Sequence, residues 1–278
     1  MFKKILSVLI CTMMLSCAAF AEDDFGVLTL VENGTVADFD GDGIEEPVAY
    51  VAERDEYGDG SFTLTVGDTT FQQDGCVSLN EELYAVRLPW SETSRTLKGT
   101  LFIASENGPS DDPVSYFYFY TAGKLYYAGT VEAYADTLTF SGDTFETVVR
   151  TDILGTWRRY AKFVLANGWN ADDDDYTEIY YVTEVPQDIY AMGIIADTKV
   201  DLPLQASRTD ATIVGTVPAG SKIAFGATDN LHWVYAESLD GQVRGWFYLD
   251  ASDYPTQIRV NGTMTDETKV FDNLMYAD

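Results

Sequence analysis

Histidine and cysteine are nearly missing from this chain. His232 is the only histidine in 278 residues, and the cysteines are Cys11, Cys17 and Cys76. Two of those three fall within the first 21 residues, read below as a leader, so Cys76 is left alone. An intramolecular disulfide is then excluded, and so is a zinc site built from His and Cys ligands. A Ser-His-Asp triad would have to use His232. A Cys-His pair would have to join Cys76 to His232, which the pattern below places in different domains. Cations are scarce too: 17 Lys+Arg stand against 45 Asp+Glu, a formal net charge of −28. Such a surface repels nucleic acid and anionic lipid. It suits a solvated extracellular protein or one that gathers cations. After the leader, no stretch is long and apolar enough for a membrane helix.

The leader has three parts. Lys3-Lys4 is basic, Ile5 to Cys17 is mostly apolar, and Ala19-Phe20-Ala21 is a small-x-small cleavage signal. That layout predicts a secretory signal peptide over 1–21, with an apolar run too short to span a bilayer. Lipid attachment at Cys17 is the alternative, although Met14 and Leu15 fit its pattern poorly. Cleavage removes two lysines and no acid, which brings the charge to about −30. The expected location is secreted or cell-surface.

What remains reads as nearly all β. Ser61 to Val66 alternates polar and apolar residues, then Gly67-Asp68 leads into Thr69-Thr70-Phe71. This is a hairpin with glycine first in a two-residue turn. Leu138 to Phe145 repeats the device through Ser141-Gly142-Asp143, and Tyr116 to Tyr127 repeats it through Ala122-Gly123-Lys124. Asn33-Gly34 and Asp240-Gly241 are further turn signals. Val114 to Tyr120 is aromatic on both faces, which marks a strand covered on both sides; an exposed tyrosine ladder is the other reading. Trp157 to Leu165 fits a strand period and also a helical stripe, and is read as a strand. The aromatic pattern stops near Pro186, which predicts a domain over 22–185 and a linker over 186–196.

The stretch "VADFDGDGIEEPVAYV" carries acids at 38, 40, 42 and 46. A hard cation such as calcium takes six to eight oxygens, and a tight loop offers them from alternate residues. Asp38, Asp40 and Asp42 stand at loop positions 1, 3 and 5, and Gly43 permits the sharp turn. Ile44 can lend its carbonyl, and Glu46 closes the set. An EF-hand would need a glutamate at position 12, where Ala49 stands, and flanking helices, where strands are expected. An acidic turn without metal is the other reading, at the cost of four carboxylates repelling one another. The spacing D-x-D-x-D-G-x-x-E before a strand resembles the calcium loop of FG-GAP and VCBS repeats, the blades of integrin-type β-propellers. That resemblance covers about 15 residues, and it implies Ca2+ ligands at Asp38, Asp40, Asp42, Glu46 and the Ile44 carbonyl. Those families usually have aspartate where Glu46 stands. Asn170, Asp172, Asp174, Tyr176 and Glu178 echo the offsets but lack the turn glycine, and are read as a solvated loop. The acidic turn from Asn107 to Asp112 lacks the spacing. Four-stranded blades run about 40–50 residues, so 22–185 holds three or four of them. The choice lies between a small or incomplete propeller and a blade-like sheet in another β architecture.

From 197 the pattern changes. Leu202-Pro203-Leu204, then Ile213 to Val217, the turn Pro218-Ala219-Gly220-Ser221, His232-Trp233-Val234-Tyr235 and Gly245-Trp246-Phe247-Tyr248-Leu249 follow in order. Over 197–252 this resembles the bacterial SH3-like (SH3b) family, small barrels of exported cell-wall proteins. Short strands with two tryptophans can fill a barrel of about 55 residues, with Trp233 and Trp246 read as core and His232 as a strand-edge residue. Gln205-Ala206-Ser207-Arg208-Thr209 departs from the family's loop after the first strand. The tail, 253–278, is too apolar for a free linker and is expected to pack back on the fold.

The function expected from these readings is an exported, non-enzymatic, calcium-stabilised binding protein. Peptidoglycan or cell-surface peptides are implied for the barrel by the resemblance alone; glycan or surface-protein ligands are the wider class. The alternatives are a carbohydrate-active hydrolase using a carboxylate pair and a surface assembly module.

Overall fold

Residue alternation becomes strand along most of the chain. The computed structural model describes residues 25–89, 98–108, 112–170, 177–252 and 254–277. The expected leader, the centre of the 170–178 echo and part of the 107–112 turn lie outside the described residues. The described chain is all-β with several antiparallel sheets, and none of them closes on itself. No described helix is long and apolar enough to cross a membrane. The chain divides into two units, 1–147 with 161–185 and 148–160 with 186–278.

In the first unit the strands are β1 (Thr29–Val31), β2 (Val36–Ala37), β3 (Glu46–Arg54), β4 (Gly60–Val66), β5 (Thr69–Cys76), β6 (Leu79–Leu88), β7 (Gly99–Glu106), β8 (Val114–Thr121), β9 (Lys124–Val131) and β10 (Thr139–Ser141). Then come β11 (Thr144–Asp152) and β12 (Thr156–Trp169), whose residues are shared between the units, and β13 (Glu178–Glu184). They form three successive sheets ordered β2-β3-β4-β5, β1-β6-β7-β8-β9 and β10-β11-β12-β13. Within each, four consecutive strands are neighbours, and one hairpin of each sheet closes through a two-residue turn. Val66 pairs with Thr69 across Gly67-Asp68, Thr121 with Lys124 across Ala122-Gly123, and Ser141 with Thr144 across Gly142-Asp143.

β8 explains how the sheets of this unit are held. Its Tyr116 and Tyr118 rings meet Phe62 of β4 at 5.8 Å, and Tyr118 meets Phe71 of β5 at 4.9 Å. The alternate residues point the other way: Phe117 stacks on Phe145 at 5.3 Å, and Phe119 meets Tyr180 at 4.8 Å. A strand aromatic on both faces is thus buried on both faces, as the middle of three layers. The face toward β3 and β4 is completed by Val48, Tyr50, Leu64, Val66, Leu83 and Phe102.

The second unit contains β14 (Tyr190–Thr198), β15 (Leu202–Gln205), β16 (Ile213–Val217), β17 (Lys222–Thr228), β18 (Trp233–Ser238), β19 (Arg244–Asp250), β20 (Gln257–Val260), β21 (Thr263–Asp266), a one-turn helix α1 (Glu267–Val270) and β22 (Phe271–Asp272). Its main sheet runs β16-β15-β19-β18-β17-β14-β22, and β20 pairs with β19 and β21. Two readings of the sequence are corrected. Residues 186–196 are not a linker, because most of them belong to β14, which pairs with β17. A bulge between Ala191 and Ile194 breaks the alternation that would have revealed this strand. Trp233 and Trp246 are half-buried on the face opposite the core, which is filled instead by their neighbours Val234 and Phe247.

The tail contributes to this core. Phe271 is 2% exposed, and its ring meets Phe225 at 5.1 Å and Phe247 at 5.8 Å. Val270 and Ile258 are fully buried beside it. The last residues are tied down by hydrogen bonds from Thr156 N to Met275 O (2.8 Å), from Ala277 N to Thr156 Oγ1 (2.9 Å) and from Arg150 Nη2 to Ala277 O (2.8 Å). Truncating a buried phenylalanine leaves a cavity that the surroundings only partly refill. Phe271→Ala is therefore expected to lower unfolding free energy by about 3–5 kcal/mol, measured by urea denaturation. A change below about 1 kcal/mol would mean that the tail does not belong to the core.

Candidate metal centre

The acidic loop links β2 to β3, and β3 begins with Glu46. It turns sharply at two glycines: Gly41 has φ +76° and Gly43 has φ +90°, a region that L side chains rarely adopt. The loop's aspartates bind its own amides. Asp38 Oδ1 accepts from Gly41 N (2.6 Å) and Asp42 N (3.1 Å), while its Oδ2 accepts from Gly43 N (3.0 Å). Asp42 Oδ1 accepts from Ile44 N (2.7 Å). These bonds fold the backbone around three converging side chains.

Asp38, Asp40 and Asp42 each offer one carboxylate oxygen, and these oxygens lie within 4.8 Å of one another. Two oxygens on one calcium ion, each at about 2.4 Å, can be no more than about 4.8 Å apart. The spacing and the all-oxygen donor set therefore fit a hard divalent cation. Three carboxylates fall short of six to eight ligands, so backbone carbonyls and water would supply the rest.

The other two residues expected in the set are placed differently. Glu46 lies outside the oxygen cluster. Strand alternation puts it on the same inward face as Val48 and Tyr50, and it is only 7% exposed. Its Oε2 accepts from Phe39 N at 3.0 Å, bracing the base of the loop. Burial raises the Glu46 pKa above the usual carboxylate range, and the charges of Asp40, Asp42 and Asp38 push the same way. The hydrogen bond from Phe39 opposes them. The Ile44 side chain is 65% exposed, and its amide is spent on Asp42.

Gly123, expected only as a turn residue, and Thr100, Arg87 and Lys98, which the sequence did not single out, lie against the loop. Asp40 is 7% exposed because its Oδ2 reaches across to accept from Gly123 N (2.7 Å), in the β8–β9 turn. Thr100 Oγ1 donates to Phe39 O (2.6 Å), and Arg87 Nη2 donates to Asp38 O. Lys98 lies over Gly41 so closely that a Cβ there would stand 2.4 Å from its Nζ. Tyr120, buried behind the loop, has its phenol pKa pushed up to about 12, first by burial and then by the Glu46, Asp40 and Asp42 charges. The loop thus connects the β2–β5 sheet to the β1-β6–β9 sheet. Nothing local in the sequence signals these partners, since Gly123 is 83 residues from Asp40.

The Asp40 contact predicts an effect separate from any metal. In chelator, Asp40→Ala should cost about 1.5–3 kcal/mol, the value of a hydrogen bond to a charged group, whereas Asp42→Ala, at an exposed position, should stay within about 0.5 kcal/mol. Urea denaturation of both variants checks the difference; equal effects would remove the inter-sheet role of Asp40. No family model, no curated protein and no solved structure matches this chain.

Proposed function

We propose that the chain is an exported, non-enzymatic binding protein whose first unit is stiffened by one calcium ion and whose surface recognises cell-wall, glycan or surface-protein ligands. The observation that carries the calcium assignment is the convergence of the Asp38, Asp40 and Asp42 oxygens within 4.8 Å. A bound Ca2+ would neutralise carboxylates that otherwise repel each other. Asp38, Asp40 and Asp42 would hold it, and the Ile44 carbonyl and Glu46 are the further donors that the loop's spacing implies. Gly43 keeps the turn open, and Thr100, Arg87 and Gly123 carry the order of the loop into the next sheet.

The three successive four-stranded meanders support a blade-type, FG-GAP/VCBS-like and β-propeller-like reading of residues 22–185. The short strands of residues 202–250 around Leu204, Val217, Phe225, Val234 and Phe247 support an SH3-like reading of residues 197–252. The leader pattern over 1–21 supports a secreted or cell-surface location. Together these favour a wall or surface ligand.

Metal bound only by the folded state must raise the melting point. At a free Ca2+ concentration of 100 times the dissociation constant, the gain is about 2.7 kcal/mol. The mature protein is expected to melt higher in Ca2+ than in chelator. The triple variant Asp38→Asn, Asp40→Asn, Asp42→Asn should lose that difference. The same protein should co-sediment with purified peptidoglycan. An unchanged melting point in Ca2+ would overturn the calcium assignment, and no co-sedimentation would overturn the wall ligand.

A further inference from the structure

In the second unit, β18 and β19 keep four aromatic rings off the core. Val234, Ala236, Phe247 and Leu249 fill the buried face and are at most 2% exposed. The alternate residues Trp233, Tyr235, Trp246 and Tyr248 are half-buried on the opposite face. They stand as cross-strand pairs, Trp233 with Tyr248 and Tyr235 with Trp246. Both pairs pack edge to face, at 5.2 and 5.5 Å. The bulge at Gly226 in β17 leaves room beside Tyr235, whose ring would lie 3.4 Å from a Cβ at that glycine.

Guanidinium groups lie over two of these rings. Arg259 of β20 is 3.9 Å from the Tyr248 centroid, and His232 stacks on Tyr248 at 5.3 Å. Arg208 is 5.6 Å from the Trp246 centroid. Stacking fixes the guanidinium plane and leaves its N–H edge free to hydrogen-bond a carboxylate. Arg208 already does this within the chain, since its Nη2 donates to both oxygens of Asp188 at 2.8 and 2.7 Å. Arg259 is exposed, and among the described residues no acid pairs with it. This is notable in a chain where 45 acids surround 17 cations. Asp250, on the same strand as Tyr248, is occupied by the amide and hydroxyl of Ser252.

We infer that this face docks an extended peptide bearing side-chain or terminal carboxylates, with Arg259 as the group that reads the carboxylate and the four rings as the shelf beneath the chain. The inference rests on the surface-ligand reading above and names its chemistry.

The test uses the full mature chain and two acetylated, amidated hexapeptides, one alternating Gly and Glu and the other alternating Gly and Gln. Binding is followed through the indole N–H signals of Trp233 and Trp246. The Glu peptide is expected to shift both signals, with affinity falling as salt rises, and the Gln peptide to leave them unmoved. Arg259→Gln should weaken the Glu peptide at least about fivefold with the melting point unchanged. Arg259→Lys, which keeps the charge but loses the planar fork, should recover only part of that loss. Equal binding of the two peptides, no binding of either, or an unchanged affinity in Arg259→Gln would overturn the inference. The wall reading fails separately: peptidoglycan co-sedimentation that is intact in Arg259→Gln retains that reading and removes this one.

Discussion

A sheet buried on both faces has no side on which to place polar side chains, and β8 is where this chain meets that constraint. Its tyrosines pack toward β4 and β5, and its phenylalanines pack toward Phe145 and Tyr180. Tyr118, fully buried, has its phenol pKa raised above the usual range, first by desolvation. Each aromatic residue here excludes water from a neighbouring sheet, so the three layers of the first unit depend on one another through this strand. Ser115 of β8 stays inside through hydrogen bonds to the Ser105 hydroxyl and the Ala133 carbonyl.

The acidic loop is the place where that arrangement admits charge near the core. Asp40 and Glu46 are both nearly buried, and each accepts a backbone amide. A carboxylate held in this way is tolerable because its hydrogen bonds replace water. The cost that remains shows in the raised Glu46 pKa, first through burial and then through repulsion from Asp40, Asp42 and Asp38. The proposed divalent ion would supply the counter-charge. The loop therefore joins two roles, a cluster of oxygens facing outward and a clasp between two sheets facing inward. Glu46 belongs mainly to the second role, although its spacing suggested the first.

The second unit buries one carboxylate, Glu267, which accepts from the Tyr276 hydroxyl, and places its aromatic residues on two faces for different reasons. Phe225, Phe247 and Phe271 pack against one another in the core. Trp233, Tyr235, Trp246 and Tyr248 have polar edges and sit where stacked cations and solvent can satisfy them. This division is what makes the outer face of β18 and β19 a candidate docking surface and not merely the back of a sheet.

Local features were legible without coordinates. Gly67-Asp68, Ala122-Gly123 and Gly142-Asp143 had to be tight turns, because glycine there permits a positive φ that two-residue hairpins require. The two-faced aromatic pattern of Val114 to Tyr120 pointed to an interior strand over an exposed tyrosine ladder, and the alternate spacing of Asp38, Asp40 and Asp42 pointed to oxygens that converge. Only the tertiary structure decided the rest. It placed β14 in a sheet through pairing with β17, turned Trp233 and Trp246 away from the core, and brought Gly123, Thr100 and Arg87 to the acidic loop. Each of these depends on contacts between residues far apart in sequence, and a one-residue change of strand register exchanges inward for outward side chains. Spacing along a chain specifies what neighbours can do together, but which distant surface meets them is set by how the sheets pack.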